Sequence, residues 1–351
     1  MSFKKFLKRT AGLASIAVVA IALFNFLPSV NVVSLIPKLG KSEPTNSLSG
    51  RIGSDGPILV VKIDDTPPAH PQAGLEDADV VYIEQVEGGL TRLAAVFSSK
   101  IPTVIGPVRS ARISDIEILQ QYGRVAFAYS GAQSKLLPVI TAANLENLGA
   151  QRQSPEIYAT DPLRVAPTAM MLQAQKLMAR VATAKLPISI SKSVGWNFGN
   201  APETGAAIAT VKVSWPANSY DATWSLSQER WLLSQRGVPD LAASGLQLGP
   251  TTFLIQLVSI SPSDYHDKVG GVTPFSATVG TGSGYVLRDG LAIAANWNRP
   301  TGDQGTTWTD KSGKEIKFAP GQVWIALTDK EPIFTPKSAT NIADAPLPAT
   351  K

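Results

Sequence analysis

A chain of 351 residues, 44% of them hydrophobic, is long enough for two globular domains with a core each. Its formal net charge is +5, but Lys4, Lys5, Lys8 and Arg9 supply four of those charges, so the rest is nearly neutral and offers no basic face for nucleic acid. Cysteine is absent, which excludes disulfides, thiolate chemistry, cysteine-bound zinc or iron–sulfur clusters and a lipidated N-terminal cysteine. With only His70 and His266 present, any Ser-His-Asp triad or histidine metal site would have to use one or both.

Residues 11–27, AGLASIAVVAIALFNFL, form an apolar run broken only by Ser15 and Asn25 and ended by Pro28. A looser apolar stretch continues to Ile36. About 20 apolar residues cross the hydrocarbon core as a helix, so the run and its flanks predict a transmembrane anchor over residues 1–36. The basic flank holds the N-terminus in the cytoplasm and sends the body outside. The alternative is a cleaved signal peptide and a secreted body, although no Ala-x-Ala site is present. Either reading exports the chain.

Residues 37–56, rich in Gly, Ser, Pro and charge, read as a linker. The segment ILVVKI at 58–63 reads as a strand ending in Asp64 and Asp65, with a Pro-rich loop after it. VVYIEQV and TRLAAVF flank Glu87-Gly88-Gly89-Leu90, a hairpin signal. With Gly88-Gly89 as a two-residue turn, Gln85 would pair with Arg92 and leave Glu84 alone on an apolar face. Ser114 and Glu117 fit a capping box for the helix that follows. Val125 to Tyr129 reads as a strand leading into Ser130-Gly131, and helices are predicted over 135–147 and 168–183. Residues 190–206 mark a boundary. Beyond it, short runs such as ATVKVSW, TFLIQLVSI and QVWIAL predict a β-rich part whose core takes most of the tryptophans.

The expected fold is therefore an α/β (or α+β) N-terminal domain at 57–190, then a β-rich C-terminal domain at 207–330. A transmembrane helix precedes both, and a disordered tail at 331–351 follows them.

The chemistry-bearing residues concentrate between positions 62 and 130. A carboxylate on an apolar strand face must be paired, so Glu84 needs a cation, and Arg109 or Arg112 is the expected partner. Arginines just before a helix start can also clamp a phosphate or carboxylate. Asp64, Asp65, Glu84, Glu87, Arg92, Arg109, Arg112 and Ser130 are thus the candidate ligand-binding residues. Asp64 and Asp65 could hold a divalent cation, but such a pair at a strand end more often caps a turn. Two carboxylates could also run glycosidase chemistry, which no spacing here selects. GTGSG at 280–284 lacks the Gly-Lys-Ser/Thr of a phosphate loop. No catalytic residue, metal or cofactor is predicted.

Two strings, PQAGLEDADVVYIEQVEGGLTRLAAVF and IGPVRSAR, resemble the YerB-like bacterial envelope proteins, a family known mainly as a domain of unknown function. GYVLRDGLAIAANWNRP and TTWTDKSGKEIKFAPGQVWIAL extend the resemblance over residues 57–330. The resemblance implies an exported envelope protein, typically a lipoprotein, without a settled activity. In this chain the apolar segment would replace the lipid. His70 stands before Pro71 where the family usually has Arg, and Thr168-Ala169 follow Pro167 where it usually has His-Asn. The expected function is a membrane-tethered binding or scaffold module for an anionic ligand, a cell-wall glycan or a partner protein. The alternative is a cell-wall enzyme using the carboxylate and arginine cluster.

Overall fold

The computed structural model describes residues 43–337; the predicted membrane segment, the start of the linker and the end of the tail lie outside the described residues. In the first half the strands are β1 (Leu59–Asp64), β2 (Val80–Gln85), β3 (Thr91–Phe97), β4 (Val104–Ile105), β5 (Val125–Ala128), β6 (Leu145–Asn147), β7 (Tyr158–Thr160) and β8 (Met170–Gln173). The second half begins with β9 (Ala206–Ser214), β10 (Ser219–Ser225), β11 (Arg230–Gln235), β12 (Val238–Pro239), β13 (Thr252–Leu257) and β14 (Ile260–His266). It continues through β15 (Val272–Ser276), β16 (Gly280–Arg288), β17 (Leu291–Arg299), β18 (Thr307–Thr309), β19 (Val323–Thr328) and β20 (Ile333–Pro336). Helices are few among the described residues: α1 (Ile113–Gln120), α2 (Leu137–Ala142) and α3 (Ala174–Thr183).

One sheet takes 15 of these strands, in the order β12-β11-β10-β9-β17-β16-β13-β19-β2-β3-β1-β5-β6, with β18 added at β17 and β20 at β9. β13, β19 and β2 are parallel to one another, and so are β1, β5 and β6. β3 runs antiparallel to both β2 and β1, so all six of those strands point the same way. Their carboxyl ends share one edge of the sheet.

Both faces of the sheet are covered, which is why ILVVKI reads as nearly continuous apolar sequence instead of alternating. Leu59, Val61 and Ile63 join Leu93, Phe97, Trp215, Trp231 and Trp324 on one side. Val60, Tyr82 and Val96 join Ile118, Ile140, Trp297, Trp308 and Phe318 on the other. Each such large side chain contributes about 1.5–3 kcal/mol by leaving water. α3 covers the first face through Leu177 and Val181, and α1 and α2 cover the second.

Four expectations change. The two halves do not bury separate cores: each core holds residues of both halves, and among the described residues the chain from Pro44 to Lys337 is one compact unit. The described part of the predicted linker is packed, with Leu48 and Ser49 fully buried and Asn46 donating to the Ser98 hydroxyl. Residues 333–336 of the predicted tail pair with β9, covering that strand's edge. The helices are shorter than predicted. Leu145–Asn147 and Met170–Gln173 are strands, because pairing with β5 and β7 satisfies their backbone groups. Among the described residues no helix is long and apolar enough to cross a membrane.

Candidate functional site

All eight candidate residues lie at the carboxyl edge of the six co-directional strands. The hairpin there has a register one step from the predicted one. Glu84 pairs with Arg92 and Gln85 with Thr91. A three-residue 3₁₀ turn, Glu87–Gly89, closes the hairpin, with the Val86 N–H bonded to the Leu90 carbonyl. Gly88 and Gly89 have φ of 66° and 71°, conformations that glycine adopts without strain. A one-residue change moves side chains to the other face. Glu84 and Arg92 thus share a face, and β1 brings Lys62 and Asp64 to it, since Asp64 lies opposite Arg92 and Lys62 opposite Ala94.

Glu84 is paired, but with neither predicted arginine. Lys62 Nζ bonds Glu84 Oε1 and, at 2.7 Å, Asp115 Oδ1, and all three side chains are 0% exposed. Burial lowers the Lys62 ammonium to about 8 against the pull of Asp115. Arg112 grips Glu87 with Nε at 2.6 Å from Oε1 and Nη2 donating to Oε2 at 2.8 Å. That two-point contact suits a planar guanidinium. Arg109 Nε lies 2.8 Å from Asp64 Oδ2 with its side chain 25% exposed. Arg92 has no ion pair among the described residues; its Nη1 donates to the Ser110 carbonyl at 3.0 Å. Burial and the charges of Arg112 and Arg109 push its guanidinium down, while Glu87 and Asp64 pull it up. Lys62, Arg92, Arg109 and Arg112 balance Asp64, Glu84, Glu87 and Asp115, so the cluster is neutral as a whole.

Arg109 and Arg112 are not on one helix face. Residue 109 is held against β1 by its N–H to the Lys62 carbonyl, and Arg112 is an extended N-cap residue. Ser130, just past β5, donates its N–H to the Arg109 carbonyl at 3.0 Å and so supports the arginine segment. The predicted capping pair also does other work. Asp115 takes the Arg112 N–H at 2.6 Å, so α1 starts one turn from its Lys62 contact. Ser114 and Glu117 instead hold the second half. Ser114 Oγ accepts from the Ser276 N–H at 3.0 Å, and Glu117 Oε1 accepts from Thr278 N and Val279 N at 2.5 and 2.9 Å. Thr273 on β15 adds a hydroxyl bond to Glu87.

Asp64 and Asp65 diverge at the end of β1. Asp64 Oδ1 accepts from the Thr66 N–H at 2.9 Å and caps the turn, as such pairs commonly do. Asp65 enters a second polar network that the sequence reading missed. Its Oδ1 accepts from Tyr220 at 2.6 Å and Gln235 at 2.9 Å, and Oδ2 accepts from Thr91. His70 lies between two carboxylates, with Nδ1 3.0 Å from Asp240 and Nε2 3.6 Å from Asp65. Burial opposes its charge, but the bonds to Asp240 and Asp65 prevail and raise the imidazole to about 10. Burial also raises Asp240, although His70 pulls it down. The two carboxylates therefore favour the protonated imidazole of His70. Only Lys62 had a usable sequence signal: period-2 alternation places it on the face of Asp64.

The residues of the charged cluster line neither of two cavities in the fold. One, of about 90 Å³, is bounded by Tyr129, Asn147 and Arg152. The other, of about 190 Å³, is bounded by Arg51 and Arg230. Among the described residues no group of three or more His, Asp or Glu is arranged to hold a metal ion.

These features define a β-rich, two-part protein whose halves share one sheet, with a buried charge cluster at the carboxyl edge of its co-directional strands. The chain belongs to the family of the protein of unknown function DUF3048: its N-terminal domain matches residues 45–187 and its C-terminal domain residues 210–325. The gap between the matches spans the predicted boundary at 190–206. The chain is 48% identical over 56 residues to "Putative lipoprotein YerB" of Bacillus subtilis (strain 168), an alignment covering 16% of this chain and 17% of that protein. The crystal structure of YerB protein from Bacillus subtilis superposes with a TM-score of 0.70 at 19% identity, covering 82% of this chain and 97% of that one, which establishes the common fold.

Proposed function

We propose that this chain is an exported envelope protein, tethered at the membrane, that works by binding an anionic cell-wall polymer and not by catalysis. The burial of Glu84 and Glu87 and their pairing with cations carry this reading. A hydrolase of the two-carboxylate kind needs one acid and one base reaching the scissile bond. Here the first is locked to Lys62 and the second to Arg112 and Thr273. Arg109 is the outward cation of the cluster, supported by Ser130, with Arg92 unpaired behind it. An anionic ligand meeting Arg109 would compete with Asp64 for the guanidinium. The basic flank before residues 11–27, and the relative's name as a lipoprotein, support the envelope assignment.

The test is co-sedimentation of the full chain, in mild detergent, with purified cell walls that carry acidic polymers and with walls stripped of them. Binding to the first and loss on stripping is the expected result. Release of soluble wall fragments by the protein would overturn the reading in favour of the enzyme.

A further inference from the structure

The larger cavity lies away from the charge cluster, and residues of both family halves build it. Arg51 comes from the first half, and Arg230, Leu246, Leu248 and Thr251 from the second. Two guanidinium groups line it, and among the described residues neither has a carboxylate partner. Arg51 is held by neutral acceptors, Nη1 to the Ala78 carbonyl at 3.0 Å and Nη2 to the Glu76 carbonyl at 3.1 Å. Arg230 is held by the Gln228 side chain, with Nε and Nη2 at 3.0 and 2.6 Å from Oε1, and more loosely by the Gly249 carbonyl at 3.4 Å. These bonds fix the orientation of both forks without neutralising them. A guanidinium has five donors, so each retains donors for another acceptor.

The two groups also feel each other. Arg230 is pushed down first by burial and then by the charge of Arg51. Burial lowers Arg51 too, with partial relief from Asp79 and Asp77. Two like charges facing one cavity is an arrangement that a bound anion relieves. The wall further contains Glu76, whose Oε2 is buried without a hydrogen-bond partner. Leu248 is buried and Leu246 half exposed, which makes one side of the cavity apolar.

We propose that this cavity binds a small organic carboxylate, with Arg51 and Arg230 clamping the carboxyl group and Leu246 and Leu248 contacting its apolar part. Planar guanidinium forks match a planar carboxylate at two points. Glu76 brings the wall's formal charge to +1, which suits a monoanion better than a phosphate dianion. A site between two halves of a chain is also where small ligands commonly bind. This site is separate from the Arg109 face and stands or falls without it.

The experiment is isothermal titration of the full chain with N-acetyl-leucine, N-acetyl-glycine, leucinamide and inorganic phosphate. N-acetyl-leucine should bind saturably, N-acetyl-glycine more weakly for want of the apolar contact, and leucinamide not at all. Arg230→Gln should weaken N-acetyl-leucine at least tenfold while leaving the melting curve in place, because Arg230 is half exposed and paired with no carboxylate. Arg109→Ala should leave this binding unchanged. Absence of saturable binding by either N-acetyl amino acid, equal binding by wild type and Arg230→Gln, or phosphate binding in preference to the carboxylates would each overturn the assignment.

Discussion

Replacing Lys62 with methionine removes the ammonium that holds Glu84 and Asp115 together while keeping an unbranched side chain of similar reach. All three groups are fully buried, so water cannot take the place of the lost charge. Asp115 keeps its bond from the Arg112 N–H, but Glu84 has no other partner, and its Oε2 is already unbonded. Leaving a buried charge unpaired costs about 3–5 kcal/mol. That is a large share of the roughly 5–15 kcal/mol by which folded proteins are stable. Adding Glu84→Gln to Lys62→Met removes the stranded charge and should recover part of the loss. Urea unfolding of both variants and of Glu84→Gln alone gives the coupling energy, expected at about 1–3 kcal/mol. A loss below about 1 kcal/mol for Lys62→Met, or strict additivity of the two changes, would refute the placement of the pair in the core.

Arg112→Ala strands the buried Glu87 and should destabilise by about 3–5 kcal/mol in the same assay, whereas Arg109→Ala removes a partly exposed guanidinium, leaves Asp64 its bond from the Thr66 N–H, and should cost less than Arg112→Ala. His70 has a folded value near 10 against 6.5 unfolded, so its stabilisation is complete below pH 6.5 and is lost as pH rises to 10. The limiting slope is about 1.4 kcal/mol per pH unit. Lys62 acts in the opposite sense between about 8 and 10.5, so unfolding free energy should fall from pH 6.5 to 8 and flatten above it, and His70→Gln should abolish the fall. Gly89→Ala should lower the melting temperature more than Gly88→Ala, because a Cβ at 89 would lie 2.5 Å from Pro216 Cβ while 88 faces open space.

Legibility followed how local each signal was. The strands, the burial of most tryptophans and the hairpin were readable because alternation and a Gly-Gly pair report on neighbouring residues. The register was not. A two-residue and a three-residue turn fit the same EGG string, and Gly89 sits close to Pro216, far along the chain. Glu84 was correctly read as needing a cation, yet Lys62 reached it from another strand. Asp65 was singled out, but its partners Tyr220, Gln235 and Asn218 lie more than 150 residues away, where spacing carries no information. The shared cores depend on β19 pairing with β2, a contact between distant segments that no local pattern announces.

The binding account is tested most directly by co-sedimentation of wild type and Arg109→Ala with walls carrying acidic polymers, across a salt series. The account predicts saturable binding by wild type that weakens with salt, and at least a tenfold loss for a folded Arg109→Ala. Equal sedimentation of the two proteins, or none by wild type at low salt, would contradict it.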